Sequence, residues 1–316
     1  MSLEAVFERA DASLQAASDG PESLALMRAA FRPQVDLAER LGAWPVAELP
    51  LSIASAIAGD AEAAVRLAAA CTLFFAGADV IDDAEDGDLD AEGFGSWQQA
   101  VSVGQALSFL APRVAASAAL PRRRAAVAEA FLAAGLAMSL GQRRDLARHG
   151  AAIGQVKEAD YLETVAGKSG AAFKLYAGLP AIALGGSAAL VSALSAFGQR
   201  WGAAIQLASD LADMQAPQSR DHRQQLPTLP LIACWQLLAP ADRPLLLAAW
   251  AGEPGAPPLP FLLDRSGAMA YSRARLAAMR LEAEQALSSR AVPEGLRQAL
   301  APFGALLVAT PGLAFA

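Results

Sequence analysis

The chain has 316 residues, enough for one large domain or two small ones, and its 54% hydrophobic content includes only 6% aromatics. That leaves mostly Ala, Leu and Val, a composition that favours packed helices over strands. A formal net charge of −7 excludes a non-specific nucleic-acid binder, which needs a basic face, and 2 Cys with 2 His leave little room for a zinc site or a Ser-His-Asp triad.

In chain order, helices are expected over 2–17 and 22–41, parted by Asp19-Gly20-Pro21 and with Ser23 as a cap. Residues 42–50 read as a proline-containing connection. Leu51–Ala58 and Ala61–Asp83 follow, with Gly59-Asp60 as stop and restart. Residues 86–95 read as an acidic, glycine-rich loop. Further helices are expected over 97–118, 122–147, 157–176, 179–186, 189–214, 228–238 and 241–251. After the proline-rich stretch 252–260 come two more, over 261–289 and 293–309. Without an internal repeat or a low-complexity linker, the reading is one all-α domain over residues 1–316. Cys71 and Cys234 read as buried small hydrophobes in a reducing, cytoplasmic compartment. The uncharged stretch 175–198 is long enough to span a bilayer, but Pro180 and Gly185-Gly186 favour two buried helices, and no transmembrane segment is expected.

Two acidic clusters end apolar helices. In Asp82-Asp83-Ala84-Glu85-Asp86, Asp82 and Asp86 lie four residues apart and share a helix face. Carboxylates are disfavoured at a helix C-terminus, where the backbone carbonyls already carry negative charge. Either solvation or a cation resolves this. Oxygen-only ligands suit magnesium, which completes its shell with water and substrate phosphates. In the second cluster Gln206, Asp210 and Asp213 follow i, i+4, i+7 spacing, and Ser209 stands four before Asp213.

These residues carry a resemblance. AAACTLFFAGADVIDDAED (68–86) aligns without a gap to the first aspartate motif of the polyprenyl synthetases, the trans-isoprenyl diphosphate synthases. Gly141-Gln142-Arg143-Arg144-Asp145-Leu146 resembles their GQxxDL, and Tyr161-Leu162-Glu163 through Lys168-Ser169-Gly170 their YLxxxxxKTG. Gly202 to Asp213 resembles GxxFQIxDDxxD, and Thr228-Leu229-Pro230-Leu231-Ile232 the TLPLI that follows. The resemblance implies the class I isoprenoid synthase fold, a helical bundle with a central pocket. It implies magnesium chemistry on an allylic prenyl diphosphate, with Asp82 and Asp86 as metal ligands and Asp83 in support. Lys168 is then the diphosphate contact, and Ser209, Asp210 and Asp213 surround a further metal with Gln206. Gln142 and Arg143 are candidate substrate contacts. In the family, the positions of Gly77 and Ala78 line the pocket for the prenyl chain, with Phe74 one turn lower as a floor. Close helix packing is the alternative reading of these small residues. A homodimer is the expected assembly, and a heterodimer with another synthase stands open.

The departures are as informative. The family's GKRLRP becomes Pro45-Val46-Ala47-Glu48-Leu49-Pro50, which loses every cation. Its histidine becomes Phe75, its arginine pair Ala91-Glu92, the first aspartate of its second motif Ser209, and its lysine before TLP falls near Leu226. Pro217 stands where class I cyclases carry a glutamate. Most of these groups serve isopentenyl diphosphate, and each charge-assisted contact contributes roughly 1.5–3 kcal/mol. The pattern resembles a divergent branch that includes competence-pheromone prenylases and unusual bacterial terpene synthases. The expected function is a magnesium-dependent prenyltransferase with a degenerate isopentenyl diphosphate site. Transfer to a non-diphosphate acceptor, or cyclisation as in a terpene synthase, is the alternative. A non-catalytic regulatory subunit is a third reading, against which the intact aspartates argue.

Overall fold

A computed structural model describes residues 2–89, 93–214 and 224–309, with the side chains of Ala58 and of residues 305–309 excepted. Among the described residues there is no strand. The helices are α1 (Leu3–Ala17), α2 (Pro21–Leu41), α3 (Pro45–Ala58), α4 (Ala61–Asp86), α5 (Trp97–Ala118), α6 (Arg124–Leu146) and α7 (Glu158–Gly167). They continue with α8 (Ser169–Ala183), α9 (Ala188–Asp213), α10 (Leu229–Leu237), α11 (Arg243–Trp250), α12 (Leu259–Arg265), α13 (Ala268–Leu287) and α14 (Glu294–Ala309). The described residues pack as two compact units, one within 2–135, 172–198 and 286–303, the other within 136–171, 199–285 and 304–309.

The first unit is built on α4. Asp60 caps its start by accepting from the N–H groups of Glu62 and Ala63, and Gly87 ends it in the left-handed conformation (φ 74°). Between them Leu67, Ala68, Ala69, Ala70, Cys71, Leu73, Phe74 and Ala76 are buried. A helix apolar on all sides belongs in a core rather than at its edge. Against it, α1 lays Val6, Ala10 and Leu14 at i, i+4, i+8 spacing.

The approach of α5 to α4 is set by glycines. A Cβ on Gly77 would lie 2.6 Å from the Gly104 carbonyl oxygen and 2.8 Å from the Ser108 hydroxyl. A Cβ on Gly104 would in turn lie 2.7 Å from the Gly77 carbonyl. Close helix packing therefore accounts for the small residue at position 77. Gly77→Ala is expected to cost about 1–3 kcal/mol, seen as a lowered thermal midpoint, because backbone atoms cannot move aside as a side chain can.

Several boundaries differ from the sequence reading. Residues 45–50, expected as a connection, form the first turns of α3. Pro45 occupies N1, where its missing N–H costs nothing, while Pro50 inside the helix costs about 3 kcal/mol. Val46, Ala47 and Leu49 are fully buried, and burying the larger two offsets that cost at about 1.5–3 kcal/mol each. Ser23 is not a cap, because α2 begins at Pro21 with Gly20 before it. α4 runs through Asp86, so all three aspartates are helical. The expected helix 157–176 breaks at Lys168, and its second part continues through Pro180 to Ala183. The expected helix 261–289 is two, split where Gly267 takes φ 81°. The stretch 175–198 is two helices separated at 184–187, as its glycine pair predicts.

Candidate active site

In the first unit, Asp82, Asp83 and Asp86 occupy the last turns of α4, each half-buried. Asp82 and Asp86, four residues apart, lie on one face. One turn earlier, Asp79 accepts a hydrogen bond from the Gln34 amide at 2.8 Å. Among the described residues, no three His, Cys, Asp or Glu side chains group as a metal site. The donors at the end of α4 are carboxylate oxygens, a set that suits magnesium, which takes one or two carboxylates from a protein and fills its shell with water and phosphate oxygens.

Among the described residues, the positions where the resemblance places the family's basic side chains are apolar and packed. Val46, Ala47 and Leu49 have no exposed surface. The Phe75 ring stands against Trp44, itself fully buried, with centroids 5.5 Å apart and planes at 82°. Glu48 accepts from the Trp44 N–H at 3.1 Å, and burial raises its carboxyl above the ordinary range. Leu226 is buried as well. Ala91, Glu92 and Pro217 lie outside the described residues.

Of the pocket candidates, Phe74 is buried edge-on against Phe131, centroids 5.2 Å apart, and Ala78 is half-buried. Gly77 faces α5 as described.

The second unit assembles its site around Lys168. A Cβ on Gly141 would lie 2.6 Å from the Lys168 backbone nitrogen, so this glycine lets α6 press against the α7–α8 junction. Asp145, one turn beyond, thereby reaches Lys168, with Oδ2 3.3 Å from Nζ. The other Asp145 oxygen accepts from the guanidinium of Arg148, which also lies 5.6 Å over the Tyr161 ring. Tyr161 donates its phenol proton to Asp210 Oδ2 at 2.6 Å, and the Gln206 amide donates to Oδ1 at 2.9 Å. Ser169 donates to the Gln206 carbonyl oxygen at 2.6 Å. The chain of contacts thus ties α6, α7, α8 and α9 to one polar cluster. Gln142 and Ser209 are buried, Asp213 is half-buried at the end of α9, and Arg143 is exposed. Arg144 pairs with Glu163 at 3.1 Å.

The two buried carboxylates are tuned in opposite directions. Burial pushes Asp145 up, but the charges of Lys168 and Arg148 outweigh it and hold the group below the ordinary range. Asp210 is pushed up to about 6, by burial first, against the opposing hydrogen bonds from Tyr161 and Gln206. A raised carboxyl binds its proton more tightly folded than unfolded, so its ionisation opposes folding. In the metal-free protein, stability is expected to fall as pH rises from about 4 to about 6, by roughly 2–4 kcal/mol from this residue. Asp145 contributes with the opposite sign, below its ordinary range, outside this window. Chemical denaturation of Asp210→Asn against the parent at several pH values checks this: the variant should gain relative stability across that window and not below it.

Asp145, Tyr161 and Ser169 stand inside the motifs that carry the resemblance, so their place was readable although no role attached to them. Arg148 has no such signal, because a lone arginine just past a helix end reads as a solvated cation.

With no strand among the described residues and helices of this order, the molecule has the all-α isoprenoid synthase fold. The polyprenyl synthetase family model matches residues 49–255, and the chain belongs to that family of prenyltransferases. No curated protein matches it by sequence. Among solved structures, it is similar to the geranylgeranyl pyrophosphate synthetase of Pyrococcus horikoshii, at 22% identity and a TM-score of 0.78, covering 96% of each chain. The decaprenyl diphosphate synthase of Rhodobacter capsulatus is similar at 20% identity and a TM-score of 0.77, with 97% of this chain and 96% of that one covered. A polyprenyl synthase from Caulobacter crescentus, complexed with calcium and isoprenyl diphosphate, matches at 22% identity and a TM-score of 0.75 over 98% of each chain.

Proposed function

We propose that this enzyme is a magnesium-dependent prenyltransferase that ionises an allylic prenyl diphosphate and uses isopentenyl diphosphate poorly. The observation that carries the reading is the contrast within the first unit. Asp82, Asp83 and Asp86 are present on α4, while Val46, Ala47, Leu49 and Phe75 stand where the resemblance places the family's basic residues, the first three buried and Phe75 against Trp44. Asp82 and Asp86 hold the metal, with Asp83 in support; magnesium, when bound, neutralises charge on the diphosphate and makes it a better leaving group. Ser209, Asp210, Asp213 and Gln206 belong to the second motif, and the buried, doubly hydrogen-bonded Asp210 serves there as an orienting group before it serves as a ligand. Lys168 offsets the negative charge that develops on the diphosphate as the allylic C–O bond breaks.

The packing around Trp44 equally favours an acceptor without a diphosphate, including a double bond of the same prenyl chain, as in a terpene synthase. The Caulobacter structure, which holds calcium and isoprenyl diphosphate, supports a divalent cation and a prenyl ligand here. For the assembly we propose a homodimer. Its support is the α6 stripe Leu132, Leu136 and Leu140, exposed by 67%, 64% and 42% at i, i+4, i+8 spacing.

Calorimetry with farnesyl thiolodiphosphate tests the binding step. Saturable, magnesium-dependent binding is expected, with a loss of at least about tenfold when EDTA removes the metal, since the carboxylates without their metal repel a diphosphate. Equal binding with and without metal would contradict the reading.

A further inference from the structure

Asp79 stands one turn before the first aspartate motif, on a part of α4 that is otherwise sealed. Between residues 67 and 80, Phe75, Ala78 and Asp79 alone keep partial exposure, and Asp82 and Asp86 continue their line at i, i+3, i+4, i+7, i+11 spacing. The stripe therefore runs inward from the aspartates, and Asp79 lies roughly 4–5 Å deeper along the helix axis than Asp82.

Two buried polar side chains of the same unit meet this stripe. Gln34 of α2, 2% exposed, donates its amide N–H to Asp79 at 2.8 Å, which identifies the other end of the amide as the carbonyl oxygen. Tyr176 of α8 is fully buried, its ring edge-on to Phe173 with centroids 5.3 Å apart. Burial first, then Cys71 and Asp79, push its phenol well above the ordinary range, so it keeps its proton and serves as a donor. Neither the Gln34 carbonyl oxygen nor the Tyr176 hydroxyl has a hydrogen-bond partner among the described residues. A buried polar atom without a partner is costly, and apolar side chains of the same shape would avoid that cost. One of the two atoms accepts and the other donates. A single hydroxyl group satisfies both, accepting from the phenol and donating to the amide.

We infer that Gln34 and Tyr176 form a subsite for the hydroxyl group of a non-diphosphate acceptor, water or a small alcohol, one turn inward of the metal motif. This rests on the reading that the enzyme ionises an allylic diphosphate. The allylic C–O bond breaks, and its electron pair leaves with the diphosphate. The oxygen held at the subsite gives a lone pair to the carbocation, its O–H bond breaks, and the proton goes to the released diphosphate. The product is a prenyl alcohol from water or a prenyl ether from an alcohol. Asp79 serves by holding Gln34, and nothing further is asked of its carboxylate.

Incubation of the full chain with farnesyl diphosphate and magnesium in heavy-oxygen water, with and without methanol, tests this, with released diphosphate measured and every product identified by mass. The parent is expected to form oxygenated product above the level given by heat-inactivated protein. Labelled alcohol assigns water to the subsite, and a methyl ether formed when methanol is present assigns the alcohol. Tyr176→Phe keeps the ring and removes only the hydroxyl. It is expected to lower the ratio of oxygenated to hydrocarbon products about tenfold, the worth of one hydrogen bond. Its thermal midpoint should equal or exceed the parent's, because a buried hydroxyl has been removed. Gln34→Met is expected to shift the ratio in the same direction. A parent that releases no diphosphate overturns the ionisation reading, and this inference with it. A parent that releases diphosphate but forms no oxygenated product, or a folded Tyr176→Phe with the parent's product ratio, overturns the subsite alone.

Discussion

Asp82→Ala is expected to lower magnesium-dependent release of diphosphate from a prenyl diphosphate by at least about 10³-fold, while leaving the fold intact. The last turns of α4 carry Asp79, Asp82, Asp83, Glu85 and Asp86, and within the first motif Asp82 and Asp86, four residues apart, share a face. Removing one leaves the metal a single first-motif ligand on that face. Several kcal/mol of leaving-group stabilisation depend on that metal, and about 1.4 kcal/mol corresponds to each factor of ten. Stability should change little. Asp82 is half-buried near a helix C-terminus, where a carboxylate is unfavourable with the helix dipole, so alanine is at worst neutral there. Turnover assays with circular dichroism on the same preparation separate the two. A variant that retains a tenth of parent activity would remove Asp82 from the metal site.

The second large effect concerns isopentenyl diphosphate, which is expected to bind no more tightly than the millimolar range. Three or more lost cationic contacts, each contributing roughly 1.5–3 kcal/mol, remove at least a factor of about 10³ in affinity. The replacements do more than delete charge. Val46, Ala47 and Leu49 are fully buried, and Trp44 stands edge-on to Phe75, so a diphosphate entering there would have to displace a packed apolar cluster. Single reversion is therefore expected to fail: Phe75→His restores the family's side chain but places an imidazole against the Trp44 ring. Competition titration with isopentenyl diphosphate against a bound allylic analogue measures both proteins. Micromolar binding by either would show that other cations serve this substrate.

The sequence made much of this legible, and the gaps have physical causes. The aspartates of α4 could be read because metal chemistry needs acids at helical spacing, and that spacing is local. The first turns of α3 could not, because Pro45 and Pro50 are strong local breakers, and what overrules them is burial of Val46, Ala47 and Leu49 against distant parts of the chain. The break at Lys168 was hidden for a similar reason. Gly167 and Gly170 beside it are weak helix formers but no stop on their own, and the backbone of Gly141, from another helix, packs against Lys168 there. Gly77 was legible as small but not as to why. Its neighbour is Gly104, a residue whose own smallness means nothing until the two helices meet. Arg148 was the least legible, since its burial against Asp145 and the Tyr161 ring follows no local pattern in the sequence.

The central claim is that this enzyme breaks the allylic carbon–oxygen bond without needing isopentenyl diphosphate. The direct measurement is the rate of diphosphate release from farnesyl and geranylgeranyl diphosphate with magnesium, each with and without isopentenyl diphosphate, with every product identified by mass. The account predicts magnesium-dependent release from the allylic substrate alone, products with the carbon count of that substrate or of its adduct with a non-diphosphate acceptor, and little change on adding isopentenyl diphosphate. Release that appears only when isopentenyl diphosphate is present, with products longer by one isoprene unit, would contradict it.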